Sequence, residues 1–120
     1  FLAGVFGHLR ESKRLPSVLR AVERCHDRGG DVALLLAGEI ASPDLERSLQ
    51  PWLAEPWLKR TGFLDEPEFW RHAAAVDACV NLRYPGAGET SGIGVRLMGI
   101  GKPVIFTAGA EIAELPPTAI

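Results

Sequence analysis

Little in this sequence could staple a small fold, cross a bilayer or grip a polyanion. There are two cysteines, Cys25 and Cys79, in 120 residues, too few for the framework of a disulfide-built secreted domain. Each lies in an apolar pattern and reads as a reduced, buried side chain, which points to a cytoplasmic protein. No apolar stretch approaches the roughly 20 residues of a spanning helix, and no signal-peptide pattern is visible. Fifteen acidic residues against thirteen basic ones leave a formal net charge of -2. With no block of one sign, neither a nucleic acid nor a membrane surface is expected as a partner. His8, His26 and His72 lie far apart without ligand spacing, so no metal is expected; the latter two read as surface positions on helices. Internal repeats and low-complexity segments are also missing.

What remains is an ordinary globular composition: 47% apolar and 23% charged residues, enough for one domain with a real core. The chain opens inside an apolar run at Phe1, without an initiator Met, and closes on ELPPTAI. It therefore reads as a piece of a longer chain, truncated at both ends, in which any site could be half a site.

Apolar runs and helical periodicities alternate along the chain. Phe1–Phe6 predicts a first strand. Leu15, Val18, Leu19, Val22 and Cys25 mark one face of a helix from Arg14 to Arg28, with Ser12 as N-cap, Pro16 in the first turn and Gly29-Gly30 ending it. VALLLAG (32–38) has the continuous apolar character of a buried parallel strand. Ser42-Pro43 is an N-cap followed by Pro at the first helical position, which predicts a helix to about Gln50. The PWLAEPW stretch reads as a loop whose Trp52 and Trp57 pack. Leu58–Phe63 predicts a third strand. Asp65 and Glu68 have capping-box spacing ahead of a helix with Phe69, Ala73 and Val76 on one face. Asp77–Leu82 and Lys102–Thr107 predict two more strands around a helix from Gly92 to Ile100, and a last helical turn is expected near Glu111. Repeated βα units imply a three-layer α/β/α Rossmann-like domain with a parallel sheet.

In such a sheet, ligands bind beyond the carboxyl ends of the strands where the strand order reverses. With the order 3-2-1-4-5, that point lies between the first and fourth strands. The loops there are GHLRESK and RYPGAGETSG, the two richest in chemistry. In the second, Ser91 is the expected N-cap. Gly88, Gly92 and Gly94 remove side chains, so a ligand can approach the amides at the positive end of a helix, an anion site suited to a diphosphate. The plainer reading is a capped helix with turn glycines. In the first loop, His8, Arg10, Lys13 and Arg14 gather cations at a helix start, where the dipole disfavours them, and Lys13 can reach across the switch point. Arg14 and Arg20 read as surface. Gly101-Lys102 is not a phosphate loop, because Pro103 replaces Ser/Thr and a strand follows. No G-x-G-x-x-G turn follows the first strand, and Ser91 is not in a G-x-S-x-G elbow.

The segments FGHLRESKRLPSVLRA, LLLAGE, RTGFLDEPEFW, DACVNLRYPGAGETSG and GIGKPVI occur in an order that resembles the C-terminal domain of family-four (group 1) retaining glycosyltransferases, which have the GT-B fold. The resemblance covers nearly the whole chain, and the block from Asn81 to Val104 is its most specific part. It implies a domain that binds a nucleotide-diphosphate sugar donor. A missing N-terminal domain would hold a carbohydrate, lipid or small-molecule acceptor and supply any membrane contact. Sugar transfer would retain the anomeric configuration, need no cofactor or metal, and be lost in the isolated domain. The resemblance assigns the diphosphate to His8, Arg10, Lys13, Ser91, Gly92 and Ile93, with His8 standing where the family has Arg and Arg10 or Arg83 able to substitute. It assigns the donor sugar to Glu89, Thr90 and Ser91, with Glu89 as the catalytic residue, facing the cleft and turned from the phosphate groove. Base and ribose fall to Gly62, Phe63, Leu64 and Arg96, the last near the place of the family's second Glu. Other enzymes of the fold, such as a nucleotide-sugar epimerase or a glycan phosphorylase, are the alternative, although no pyridoxal-phosphate lysine motif is evident. A regulatory module of receiver type is a third reading, opposed by the basic end of the first strand.

Overall fold

The computed structural model describes residues 1–119. Five strands form one parallel sheet in the order β3-β2-β1-β4-β5: β1 Leu2–Phe6, β2 Ala33–Ala37, β3 Leu58–Arg60, β4 Ala78–Asn81 and β5 Val104–Phe106. Four helices, α1 Leu15–Asp27, α2 Pro43–Leu49, α3 Glu66–Ala75 and α4 Gly92–Gly99, lie between successive strands.

Strand alternation divides the core in two. Ala3, Val5, Leu34 and Leu36 face one side and pack with Leu15, Leu19, Leu45 and Leu49 of α1 and α2. Phe6, Leu35 and Ala37 face the other and pack with Phe69, Ala73 and Leu97 of α3 and α4. Side chains two apart share a face, so one apolar run serves both helical layers. This is the expected three-layer architecture, with the expected strand order.

Local signals hold at three helix starts. Ser42 accepts from Leu45 N, Asp65 and Glu68 close their capping box, and Ser91 accepts from Gly94 N. Ser12 does not cap α1. It lies in a 3-10 turn, Glu11–Lys13, and Arg14, at φ 55°, is the N-cap without a side-chain bond. The turn uses the residues that a Ser12 cap would need as the first helical turn.

Cys25 is exposed, against expectation, while Cys79 is buried. The inner corner at the end of α1 is filled instead by His26, four residues after Val22. Its ring lies 2.6 Å from Val32 O and stacks on Trp57 at 5.5 Å, so His26 is half-buried rather than a surface residue. His72 is also half-buried, with Nδ1 2.8 Å from Glu68 O. Trp52 is buried, as expected of a packing residue. β3 is half the expected length: its last ladder bond runs from Thr61 N to Leu36 O, and Phe63 beyond it is exposed. A 3-10 turn, Ala110–Ile112, stands where a helical turn was expected.

Two glycines set the backbone around the switch point. A Cβ on Gly38 would lie 1.8 Å from Gly7 O, so only glycine lets the β1 and β2 ends meet. Beyond them Leu9 and Ile40 form an isolated bridge that ties the two loops. A Cβ on Gly94 would sit 2.5 Å from the Phe106 ring, so glycine brings α4 down onto β5. No helix among the described residues is long and apolar enough to cross a membrane.

Candidate functional site

Beyond the carboxyl ends of β1 and β4, the two loops singled out by sequence enclose a cavity of about 420 Å³. One wall carries His8, Arg10, Ser12 and Lys13; the other carries Arg83, Glu89, Thr90, Ser91, Gly92 and Ile93, with Arg96 at one end. The expected diphosphate and sugar residues are therefore neighbours in space. The loops are joined directly, because Tyr84 N donates to Ser12 O at 2.8 Å.

Lys13 is the electrostatic centre of this cavity. It is half-buried, and its ammonium donates to Asn81 Oδ1 at 3.4 Å. No carboxylate lies within ion-pair distance of it among the described residues. Burial first, then Arg83 and Arg10, lower its pKa from the usual 10.5 to about 8. A cation surrounded by cations and held by a neutral amide is costly to the fold. An anion placed beside it would relieve that cost.

The N-terminus of α4 forms part of the opposite wall. Ser91 is buried and its hydroxyl takes Gly94 N at 3.2 Å. The amides of Gly92 and Ile93, at the first helical positions, have no intrahelical acceptor and are left for a ligand. Arg83 steadies the loop by donating to Glu89 O at 3.3 Å, and its own N–H donates to Thr107 Oγ1 at 3.0 Å. Thr90 Oγ1 donates to Glu114 Oε2 at 3.2 Å, a second carboxylate at this loop that the sequence did not bring to notice. The Glu89 side chain is exposed, has no partner of its own among the described residues and borders the same cavity as Lys13.

A second cavity, about 240 Å³, adjoins the first and shares His8, Ile93 and Arg96 with it. Of the residues expected to meet the base, Phe63 and Leu64 border this cavity and Gly62 does not. Its other walls carry Gly38, Glu39, Asp65, Glu66 and Phe69. Arg96 is held firmly. Its guanidinium stacks 4.5 Å from the Phe69 ring centroid and 4.6 Å from that of Trp70, and it is ion-paired with Glu66. Asn81, Glu66 and Glu114 are the residues that sequence reasoning missed. Asn81 had a signal, a polar residue at the end of a buried strand.

Lys102 belongs to neither cavity. Its ammonium donates to Ala74 O and Val76 O, both at 2.7 Å, closing the end of α3. No group of three His, Cys, Asp or Glu side chains among the described residues is arranged to hold a metal ion.

No protein-family profile and no curated protein matches the sequence. Among solved structures, the chain is similar to the C-terminal domain of LpcC, a glycosyl transferase group 1 family protein from Francisella tularensis. The TM-score is 0.76 at 20% identity, over 97% of this chain and 62% of that one. AviGT4, a glycosyltransferase involved in avilamycin A biosynthesis, matches with a TM-score of 0.64 at 19% identity, over 98% of this chain and 35% of that one. The chain thus spans less than two thirds of the length of either structure. The likeness establishes the fold: the sheet order and flanking helices are those of the Rossmann-like C-terminal domain of GT-B glycosyltransferases.

Proposed function

We propose that this chain is the donor-binding domain of a cytoplasmic, retaining glycosyltransferase of group 1 type, taking a nucleotide-diphosphate sugar. The observation that carries this reading is Lys13, a half-buried ammonium with no carboxylate in ion-pair distance among the described residues, facing the capped N-terminus of α4 across a cavity lined by further cations. Such a site is prepared for a compact, multiply charged anion.

In this reading Lys13, Arg10, Arg83 and the amides of Gly92 and Ile93 hold the diphosphate. As the bond from the anomeric carbon to the leaving oxygen breaks, negative charge grows on that diphosphate, and the same groups stabilise it most at that moment. His8 stands beside them as a hydrogen-bonding group. Glu89, whose carboxylate is uncommitted, accepts hydroxyls of the donor sugar and fixes the anomeric carbon toward the acceptor. Thr90, held by Glu114, and Ser91 line the sugar end. The nucleoside enters the second cavity, with Phe63 at its lip. An acceptor-binding domain outside this chain supplies the other wall, and the diphosphate is neutralised by protein cations without a metal.

Calorimetric titration of the full chain with UDP-, GDP- and ADP-sugars and with inorganic pyrophosphate tests the reading. Binding of pyrophosphate and of one nucleotide sugar, both lost in Lys13→Ala, is expected. In the full-length enzyme, Lys13→Ala and Glu89→Ala are expected to impair transfer; unchanged turnover in both would remove the site assignment.

A further inference from the structure

The two adjoining cavities differ in charge. The first presents His8, Arg10, Lys13 and Arg83 against the single carboxylate of Glu89. The second presents Glu39, Asp65 and Glu66, with Arg96 at the join. A recess lined by carboxylates repels a second phosphate and suits a neutral group rich in O–H and N–H donors, since an ionised carboxylate only accepts hydrogen bonds.

The three carboxylates are not equivalent. Asp65 Oδ1 is committed to Glu68 N at 2.8 Å as part of the α3 cap. No side-chain partner fixes Glu39 among the described residues. Glu66 is fixed: its Oε1 accepts from Trp70 Nε1 at 3.1 Å and from the Arg96 guanidinium, which the Phe69 and Trp70 rings hold by stacking. One carboxylate oxygen is thereby anchored and the other, Oε2, has no partner among the described residues, on a side chain 66% exposed. Through Arg96 it stands at the join of the two cavities, where the sugar linking a base to a diphosphate must lie. A plain surface ion pair at a helix start would need neither the stacked rings nor the position at the join.

We propose that Glu66 receives the vicinal hydroxyls of the ribose of a nucleoside diphosphate, positioned for that task by Arg96 and Trp70. The proposal rests on the donor-binding reading and adds to it a recognition residue on α3, whereas the family resemblance points to α4.

The test is titration of the full chain, wild type and Glu66→Gln, with UDP, GDP and ADP, with the 2′,3′-dideoxy counterpart of the tightest binder, and with pyrophosphate. Wild type is expected to lose roughly tenfold or more in affinity when the hydroxyls are removed, the usual worth of a hydrogen bond to a charged group. Glu66→Gln is expected to lose a similar factor for the ribonucleotide, nothing further for the dideoxy form, and nothing for pyrophosphate. Equal weakening of ribo and dideoxy forms by Glu66→Gln would assign it a structural role and overturn the proposal, as would wild-type indifference to the hydroxyls. Failure of every nucleotide and of pyrophosphate to bind wild type would instead overturn the donor-binding reading, and this proposal with it.

Discussion

Lys13 Nζ lies 3.4 Å from Asn81 Oδ1, a half-buried ammonium whose hydrogen-bond acceptor is a neutral amide. β1 and β4 are adjacent in the sheet, and this contact joins the loop after one to the last residue of the other. Burial and the charges of Arg83 and Arg10 bring the lysine pKa down to about 8, within reach of ordinary buffers.

Anion binding should therefore depend on pH in a definite direction. The charged lysine attracts a diphosphate, and the bound diphosphate in turn raises the lysine pKa. Affinity is then full below about pH 8 and declines as the pH rises through that value, because binding must first restore the proton. Calorimetry with pyrophosphate from pH 6.5 to 9.5, a range of about three units around that pKa, should show a several-fold decline. Lys13→Met should bind more weakly and lose this limb; an unchanged pH profile in the variant would exclude Lys13 as its source.

The same substitution should stabilise the ligand-free fold. The folded-state pKa, about 8, lies below the usual 10.5. Below pH 8 both states hold the proton and the folded state bears the whole penalty. Between 8 and 10.5 the unfolded state binds more protons, so wild-type stability rises with pH. Lys13→Met should then gain about 1–3 kcal/mol at neutral pH, with the gain shrinking toward pH 10. Urea melts at pH 7 and 9.5 measure both quantities, and a destabilised variant at pH 7 would contradict the argument.

How far the sequence could lead is visible in particular residues. The parallel sheet between helical layers followed from alternating apolar runs and short connections, its strand order was taken from the doubly wound arrangement, and the caps at Ser42, Asp65 and Ser91 followed from local hydrogen-bonding chemistry. The α1 start was misread because Glu11–Lys13 forms a competing 3-10 turn, and Cys25 because helix periodicity admits either the third or the fourth residue after Val22 to a corner. His8, Lys13 and Ser91 could be placed near one another because topology alone sets which strand ends meet. The Glu66–Arg96 pair was out of reach, being 30 residues apart and made by the packing of α3 beside α4. A reading along α4 sought a second carboxylate beyond Glu89; eight residues on stands Leu97, 1% exposed and part of the core.

Lys13 and Lys102 should separate by function. Lys102 donates to Ala74 O and Val76 O, where it satisfies carbonyls at the end of α3 and favours the negative end of the dipole. Lys102→Met should destabilise the chain by about 1 kcal/mol and leave pyrophosphate affinity unchanged. Lys13→Met should do the reverse on both counts. Paired melts and titrations check this, and loss of affinity in the Lys102 variant would place it in the anion site after all.

Asn81 provides the sharpest change at the smallest structural cost. Its side chain is 2% exposed, and its Nδ2 has no hydrogen-bond partner among the described residues. An amide here leaves the Lys13 charge uncompensated, available to a ligand. Asn81→Asp is nearly isosteric and sets a carboxylate at the place now 3.4 Å from the ammonium. The new pair would raise the lysine pKa and abolish the pH limb near 8. It would also oppose an incoming diphosphate, both by repulsion and by occupying its partner. Affinity for pyrophosphate should fall by tenfold or more, about 1.4 kcal/mol or above, while thermal stability changes little, because the attraction within the new pair is set against the cost of burying a second charge. If instead the variant binds pyrophosphate as tightly as wild type, Lys13 is not the group that holds the anion. The cavity's attraction would then have to come from Arg10, Arg83 and the α4 amides alone.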